Sequence, residues 1–328
     1  MRIAALDLGS NSFHAVVADV RRGGRLDVVE RVKRMPRVGE AIFRTGEISG
    51  AARRNAFQAL SELMPVVART NPDAVIAVAT SAVREARNRR DFIVEIRARF
   101  GIDVRVISGD EEARLSYAGA RARLGREVGR ATLFDLGGGS LEVVVGDGPR
   151  VLRTASAPLG VLRALVEHPL SDPATSSERR ALDQWARRSI AEFLEPVDGL
   201  DAGEVLLCAG TARAVRSVAQ GLGMIPADGS GSDIVSRETL ARVTDRLASL
   251  PLAMRRHTPG LDPARADLIV HGAVLLETLL TAVGVDEARV CRAALREGLI
   301  LHHAGRRGAG TRLRRSRAAK PAPTRLSA

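Results

Sequence analysis

The chain contains an internal repeat of a glycine-rich motif. Residues 3–17, IAALDLGSNSFHAVV, align with residues 131–145, ATLFDLGGGSLEVVV, and the alignment pairs Asp7 with Asp135. In each copy an apolar, β-branched run is followed by a Gly/Ser turn and a second run of the same type, which predicts a β-hairpin. A duplicated hairpin restricts the fold strongly, because it implies two copies of one structural unit.

Helix-like and strand-like segments alternate around both hairpins. Apolar residues recur at helical spacing over residues 53–69, and the apolar run Ala74–Ala79 that follows Pro72 predicts a strand. The same alternation continues in the second half of the chain, and a length of 328 residues favours two domains over one. We therefore expect an α/β protein with domains at residues 1–128 and 129–305 that meet at a cleft.

Positive charge is concentrated at the carboxyl terminus. The formal net charge is +12, and residues 306–328 contain arginine and lysine but no acidic residue. A segment of this composition cannot bury enough apolar surface to fold, so we expect a basic, disordered tail. Such a tail could contact polyanions non-specifically, or it could be a solvated terminus without a partner.

Composition excludes several functional classes. Lys33 and Lys320 are the only lysines, and neither follows a glycine, which rules out a Walker A loop. Aromatic residues make up 3% of the chain, so platforms for specific nucleic-acid recognition are scarce. Cys208 and Cys291 lack the spacing of zinc ligands and suit a reducing compartment. With neither a secretory signal nor a membrane-spanning segment, we expect a cytoplasmic protein without membrane association.

The two hairpin turns combine groups that bind phosphate. Glycine permits a positive φ and a close approach of the backbone to a ligand, and successive N–H groups form an anion-binding nest. Ser10, Ser12 and Ser140 add hydroxyl donors. Asp7 and Asp135 precede the turns, where a divalent cation such as Mg²⁺ could join them to phosphate oxygens through water. One such turn is compatible with an ordinary hairpin, whereas two at matching positions indicate a shared function.

Two other turns directly follow predicted strands. Thr80 and Ser81 come after the strand Ala74–Ala79, and residues 210–211 come after a strand at 205–208. Open α/β sheets bind ligands at the carboxyl ends of their strands, so both turns are candidates for phosphate contact. Arginine at position 84 can hold phosphate oxygens with its planar fork of donors, although arginine is frequent enough here that it could equally be a surface charge.

Acidic residues close to these turns are candidates for metal binding and proton transfer. Glu142 follows the second turn, where it either shares a hard cation with Asp135 or faces solvent. In residues 108–112 a serine and the glutamate three positions later match a helix capping box, which explains Glu111 but not Glu112. We therefore expect Glu112 to orient or deprotonate a water molecule.

Taken in order, these motifs resemble the exopolyphosphatase/guanosine pentaphosphate phosphatase (Ppx/GppA) family. The resemblance implies a homodimer and the fold of the acetate kinase, sugar kinase, heat-shock chaperone and actin (ASKHA) superfamily, in which two ribonuclease H-like domains enclose a cleft. The segments that carry it are DLGSNSFH at 7–14, ATSAVREA at 79–86, ISGDEEARLSY at 107–117, FDLGGGSLEVV at 134–144, AGTARAV at 209–215, RADLIVHGAVLL at 265–276 and ALREGLI at 294–300.

The resemblance also implies roles for individual residues. Glu112 would be the catalytic base, and Asp135 and Glu142 would bind Mg²⁺. The chain departs from the family at Leu141, where many members have threonine, and we expect it to lack the additional carboxyl-terminal domains of the long members. Together with Gly210 and Thr211, the expected phosphate-binding residues are Gly9, Ser10, Asn11, Ser12, Thr80, Ser81, Arg84, Gly137, Gly138, Gly139 and Ser140.

Several functions remain open at this point. The substrate is either inorganic polyphosphate, which would lose its terminal phosphoryl group, or guanosine pentaphosphate (pppGpp), whose purine would need a pocket near residues 210–213. A sensor that binds polyphosphate or guanosine tetraphosphate without catalysis is a different possibility, disfavoured by the complete set Glu112, Asp135 and Glu142. An ATP-using relative with an actin-like fold is disfavoured because the family motifs match throughout.

Overall fold

The structure is a computed structural model that describes residues 1–124, 129–195, 201–226 and 233–317, with side chains up to residue 306. The junction expected between the two domains, residues 125–128, lies outside the described residues. Residues 318–328 of the expected tail lie outside them as well.

The first half of the chain forms a five-stranded mixed sheet. Its strands are β1 (Arg2–Leu8), β2 (Phe13–Val20), β3 (Leu26–Arg34), β4 (Ala74–Ala79) and β5 (Val104–Val106). Their order in the sheet is β3-β2-β1-β4-β5. β1 and β2 form the first hairpin of the repeat, β3 extends it antiparallel, and β4 and β5 run parallel to β1.

The second half repeats this topology. Its strands are β6 (Arg130–Leu136), β7 (Leu141–Asp147), β8 (Arg150–Ala157), β9 (Glu204–Cys208), β10 (Ile234–Ser236) and β11 (Glu287–Val290). The sheet order is β10-β11-β9-β6-β7-β8, so β6 and β7 occupy the places of β1 and β2, and β10 is an additional edge strand. The two hairpins and the duplicated α/β architecture predicted from the repeat are confirmed.

Helices cover both sheets. They are α1 (Val38–Thr45), α2 (Gly50–Arg69), α3 (Ser81–Glu85), α4 (Arg89–Phe100), α5 (Gly109–Leu124), α6 (Val161–Glu167), α7 (Ser176–Leu194), α8 (Ala209–Gly221), α9 (Arg237–Ala248), α10 (Leu252–Arg255), α11 (Ile269–Val283) and α12 (Leu295–Arg317). In the first half, α2 and α4 pack on the sheet through a core that includes Leu6, Leu60 and Phe92. Among the described residues, no helix combines the length and the apolar character needed to span a bilayer.

The carboxyl-terminal helix extends further than the sequence indicates. We expected disorder from residue 306, but α12 continues to Arg317. Arginine, alanine and leucine are strong helix formers, and a helix that is already nucleated adds residues at little cost. The buried first part of α12, which packs against β1 through Leu299 and Ile300, provides that nucleus.

Helices α5 and α12 cross at very short distance. Gly119 and Gly298 lie at the crossing, and a Cβ atom on either residue would overlap the backbone of the other helix. Because α5 and α12 also contact the sheets, the crossing fixes where their first turns lie. Glu112 in α5 and Arg296 in α12 are thereby held at the ends of β1 and β6.

We predict that Gly119→Ala lowers the free energy of unfolding by ~1–3 kcal/mol, because the added methyl group forces the two helices apart. Gly305→Ala is the matched control within α12, since a Cβ there meets nothing within 4 Å. It should raise stability by up to ~1 kcal/mol through helix propensity. Denaturant titration measures both variants, and equal effects would argue against a tight crossing.

Candidate functional site

The turns of the two hairpins face each other across a small cavity between the sheets. The cavity has a volume of about 110 Å³ and lies where β1 and β6 end. Nearly all the phosphate-binding residues expected from the sequence line it. They are Gly9, Ser10, Asn11, Ser12, Thr80, Ser81, Gly137, Gly138, Gly139, Ser140, Gly210 and Thr211.

The glycines of the two turns permit close packing rather than an unusual backbone conformation. We expected positive φ angles, but the turn glycines are not among the described residues that have them. A Cβ on Gly138 would lie 3.0 Å from the backbone nitrogen of Asn11, and one on Gly139 would lie 2.5 Å from Ser10 Oγ. The two turns therefore pack directly on each other, and a side chain at either glycine would separate them.

The turns are held from behind by the starts of α1 and α6. The Gly138 carbonyl accepts a hydrogen bond from the Leu162 N–H at 2.8 Å, and the Ser10 carbonyl accepts one from the Gly39 N–H at 2.9 Å. In a trans peptide the N–H points opposite to the carbonyl, so the N–H groups of the following residues point away from these helices. Donors on that side of the turns would suit an anion-binding nest.

Acidic side chains from both hairpins and from α5 meet at this cavity. Asp7, Glu112 and Asp135 line it. Glu142 pairs with Asp135 across the β6–β7 ladder and is 1% exposed. The alternative in which Glu142 faces solvent is therefore wrong.

Burial, together with the neighbouring carboxylates, raises the pKa values of these side chains. Burial raises the pKa of Asp7 to about 6, against the charge of Arg296 and reinforced by Asp135. Burial also raises the pKa of Glu142 to about 8, with the charge of Asp135 adding to the effect. The pKa of Glu112 lies well above its ordinary value because of burial and the neighbouring Glu142. Burial thus disfavours the ionised forms of these carboxylates, which a bound cation would favour.

Asp135 and Glu142 have the chemistry of a site for a hard divalent cation. Ser116 Oγ donates to Asp135 Oδ2 at 2.6 Å, and Ser156 Oγ donates to Glu142 Oε1 at 3.0 Å. Within the described ranges, no group of three or more His, Cys, Asp or Glu side chains is arranged to hold a metal ion. Mg²⁺ commonly uses one or two carboxylates and completes its shell with water and phosphate oxygens, and this donor set fits that mode.

Several of the expected site residues bond to other protein groups, among them Arg84 and Asp7. Arg84, expected on phosphate, lies outside the cavity wall, and its Nη1 donates to Glu112 Oε2 at 3.2 Å. Asp7, expected to share the metal ion, accepts a hydrogen bond from Arg296 Nη1 at 3.1 Å. In both cases a buried carboxylate has acquired a guanidinium partner, because an unpaired buried charge is strongly unfavourable.

Three arginines on the cavity wall were not among the site residues expected from the sequence. Arg213, Arg265 and Arg296 line the cavity. Burial lowers the pKa of Arg213 to about 10, and the charges of Arg296 and Arg265 act in the same direction. Arg296 Nε is a buried donor without a hydrogen-bond partner in the part of the chain that is described. Such a concentration of positive charge favours an anion. All three arginines lie in the motif segments at 209–215, 265–276 and 294–300, but those motifs alone assign them no role.

A larger cavity opens beside the site. It has a volume of about 1120 Å³ and shares His14, Arg213 and Arg296 with the smaller one. Its other basic lining residues are Arg25, Arg31, Lys33, Arg123, Arg216 and Arg292, and its acidic ones are Asp27, Asp233 and Glu297. A predominantly basic path therefore leads away from the phosphate-binding turns.

Known proteins share the sequence and the fold. The model of the Ppx/GppA phosphatase family matches residues 16–307. Exopolyphosphatase 1 of Mycobacterium tuberculosis is 31% identical over 316 residues, which cover 95% of this chain and 91% of that protein. A crystallised exopolyphosphatase-like protein is 29% identical, with a TM-score of 0.83 over 93% of this chain and 99% of its own. An exopolyphosphatase from Cytophaga hutchinsonii, 24% identical, superposes with a TM-score of 0.83 over 92% and 96% of the chains, which confirms the actin-like fold.

We predict that, without divalent cations, ionisation of Asp7 and Glu142 destabilises the folded protein as the pH rises. Burial lowers the pKa values of His14 and His271, whose contribution has the opposite sign. The folded pKa of Asp7, about 6, and that of Glu142, about 8, exceed their ordinary values of 3.8 and 4.5. The folded protein thus binds these protons more tightly than the unfolded chain, so the stabilisation is complete below about pH 4 and is lost as the pH rises to about 8. Adding Mg²⁺ should restore stability mainly at the alkaline end.

The variant Glu142→Gln should reduce this loss of stability with rising pH. It should also raise the melting temperature at alkaline pH, by ~2–4 °C for each kcal/mol recovered. Glu95→Gln is the control, because the Arg53 guanidinium lowers the pKa of Glu95 and gives the opposite sign. Thermal unfolding in EDTA, followed across this pH range, measures all three proteins. A Glu142→Gln variant whose melting temperature depends on pH in the same way as that of the wild type would contradict the assignment.

Proposed function

This chain belongs to the Ppx/GppA phosphatase family, and from that premise we propose that it is an exopolyphosphatase, which hydrolyses the terminal phosphoryl group of inorganic polyphosphate. Membership makes it a hydrolase of the phosphatase type. The observation that carries the proposal is the meeting of phosphate-binding turns, buried carboxylates and arginines in a single cavity. The exopolyphosphatase relatives support the choice of substrate.

Glu112 is the residue that we assign to the attacking water. It lines the cavity from the first turn of α5, and its pKa is well above the ordinary value because of burial and the charge of Glu142. A carboxylate with a raised pKa accepts a proton from water more readily than an ordinary one. Arg84 holds Glu112 Oε2 at 3.2 Å, so Oε1 is the oxygen that would receive the water.

The terminal phosphoryl group would lie between the two turns. Phosphoryl transfer passes through a loose transition state, so positioning and charge neutralisation contribute most of the catalysis. The backbone donors of the turns and the side chains of Arg213, Arg265 and Arg296 would supply that positive charge. Phosphatases of this family generally depend on a metal ion. We assign Mg²⁺ to Asp135 and Glu142, where it would neutralise phosphate oxygens.

The larger cavity favours a polyphosphate chain over a nucleotide. Its described lining includes no Phe, Tyr or Trp, so a guanine base would find no aromatic ring on which to stack. Eight of its lining residues are Arg or Lys and three are Asp or Glu. A chain of phosphates carries negative charge along its whole length and suits the net positive charge of this lining, whereas a nucleoside is uncharged.

Two further expectations accompany this proposal. The family resemblance implies a homodimer, which light scattering after size-exclusion chromatography will measure. Cys208 and Cys291 are free thiols in the apolar interior, as expected of a cytoplasmic enzyme. The basic end of α12 would contact polyanions without sequence preference.

We predict that Glu112→Gln lowers the rate of phosphate release by ~10²–10⁴-fold, because glutamine cannot accept the proton. Binding of the inorganic phosphate product, measured by calorimetry, should be largely unchanged. Glu111→Gln is the matched control, since the adjacent carboxylate of Glu111 pairs with Arg105 at 2.6 Å. Single-turnover release from short polyphosphate measures the rate, and a Glu112→Gln rate close to wild type would remove Glu112 from this role.

A substrate comparison tests the function itself. With Mg²⁺ present, kcat/KM should be higher for long and short inorganic polyphosphate than for pppGpp, and EDTA should abolish release from all of them. A preference for pppGpp would favour the nucleotide phosphatase. Tight binding of polyphosphate without any release would favour the non-catalytic sensor.

A further inference from the structure

Arg163, in the first turn of α6, contacts both halves of the molecule at once. Its Nε donates to the Gly139 carbonyl at 3.1 Å, and its Nη2 donates to the two carboxylate oxygens of Glu85 at 2.7 and 2.6 Å. The Phe43 ring lies against the guanidinium, with Cζ 4.1 Å from the ring centroid. Since Arg163 is 8% exposed, one buried guanidinium joins the second hairpin turn to helices α1 and α3 of the first half.

Glu85 extends this connection to the first hairpin turn. Ser81 Oγ donates to Glu85 Oε1 at 2.9 Å, and the Ala82 N–H donates to Ser10 Oγ at 3.1 Å. Helix α3 is thus bonded to the first turn through Ser10 and to the second turn through Glu85 and the arginine. A Cβ on Gly139 would lie 2.6 Å from Ser81 Oγ, so both turns and α3 meet at one point.

We propose that Arg163 is a positioning residue, which clamps the two turns at the separation where both contact the same phosphate. The inference rests on the proposed function for its substrate. A guanidinium forms several directed hydrogen bonds in one plane, and a lysine ammonium cannot reproduce that fork. Without the clamp the halves would separate, and the apparent affinity for substrate would fall by the fraction of enzyme that remains closed.

Two substitutions of Arg163 test the clamp. Arg163→Met keeps an apolar stem against Phe43, and Arg163→Lys keeps the charge but loses the fork. Both should raise KM for tetrapolyphosphate by about tenfold and leave kcat within about twofold of wild type, because the substrate-bound enzyme is closed. A lysine variant with wild-type KM would overturn the proposal. So would a lower kcat at unchanged KM, which is the signature of a smaller fraction of folded enzyme.

A double-mutant cycle tests whether Arg163 and Glu85 act as one unit. The double variant Glu85→Gln/Arg163→Met should have about the same KM as Arg163→Met alone, since either change opens the same link. If the increases in KM of the two single variants multiply in the double variant, the proposal is overturned. Glu95→Gln is the matched control, because it breaks a half-buried ion pair with Arg53 at 2.7 Å between α2 and α4, away from the cavity, and it should leave KM unchanged.

Amide hydrogen exchange separates this inference from the proposed function. In Arg163→Met without substrate, the amides of Leu162 and Ala82, which bond to the two turns, should exchange about tenfold faster than in wild type, because local opening becomes easier. If these amides exchange faster in Arg163→Met but the wild-type protein releases no phosphate, the clamp is supported and the proposed function is rejected. Unchanged exchange would overturn the clamp, whatever the activity.

Discussion

The direct packing of the two glycine turns on each other constrains everything around the cavity. Because no side chain separates Gly138 from Asn11, the ends of β1 and β6 come close together. Burial raises the pKa of Asp7 there, and the charge of Asp135 adds to that effect. The helices behind the turns, α1 and α6, then have little freedom, since their first N–H groups bond to the turn carbonyls. This backbone contact thus brings the carboxylates of the two halves together and restricts the helices behind them.

The charges around this contact oppose folding. Buried carboxylates with raised pKa values bind protons more tightly in the folded chain, and ionising them costs stability. Arg213, Arg265 and Arg296 concentrate the opposite charge on the wall beside them. An arrangement of this kind is typical of functional sites, where ligands rather than the protein complete the neutralisation.

The sequence predicts the hairpins and the acidic site because both depend on local patterns. A repeated turn implies a repeated topology, and Glu112 is singled out because a capping motif explains its neighbours. In the structure Ser108 Oγ accepts the Glu111 N–H at 3.1 Å, as a cap should, although the Glu111 carboxylate pairs with Arg105 instead of completing the box. The roles of Arg213 and Arg163 could not be predicted, because they depend on helix packing between distant segments. The sequence alone does not show which of its many arginines that packing brings to the site. The turn glycines were expected to supply positive φ, and the structure uses their small size instead.

Helices α1, α3 and α6 fill the space behind the turns and close that side of the site. Phe43, Leu162 and Ser10 leave no room for even a methyl group on Gly39, whereas the opposite side opens into the basic cavity. Under the proposed function, a linear polyphosphate would enter from the basic side and meet the closed side with its end. Glu112 would then face the terminal linkage, and a cyclic polyphosphate, which has no end, would be a poor substrate.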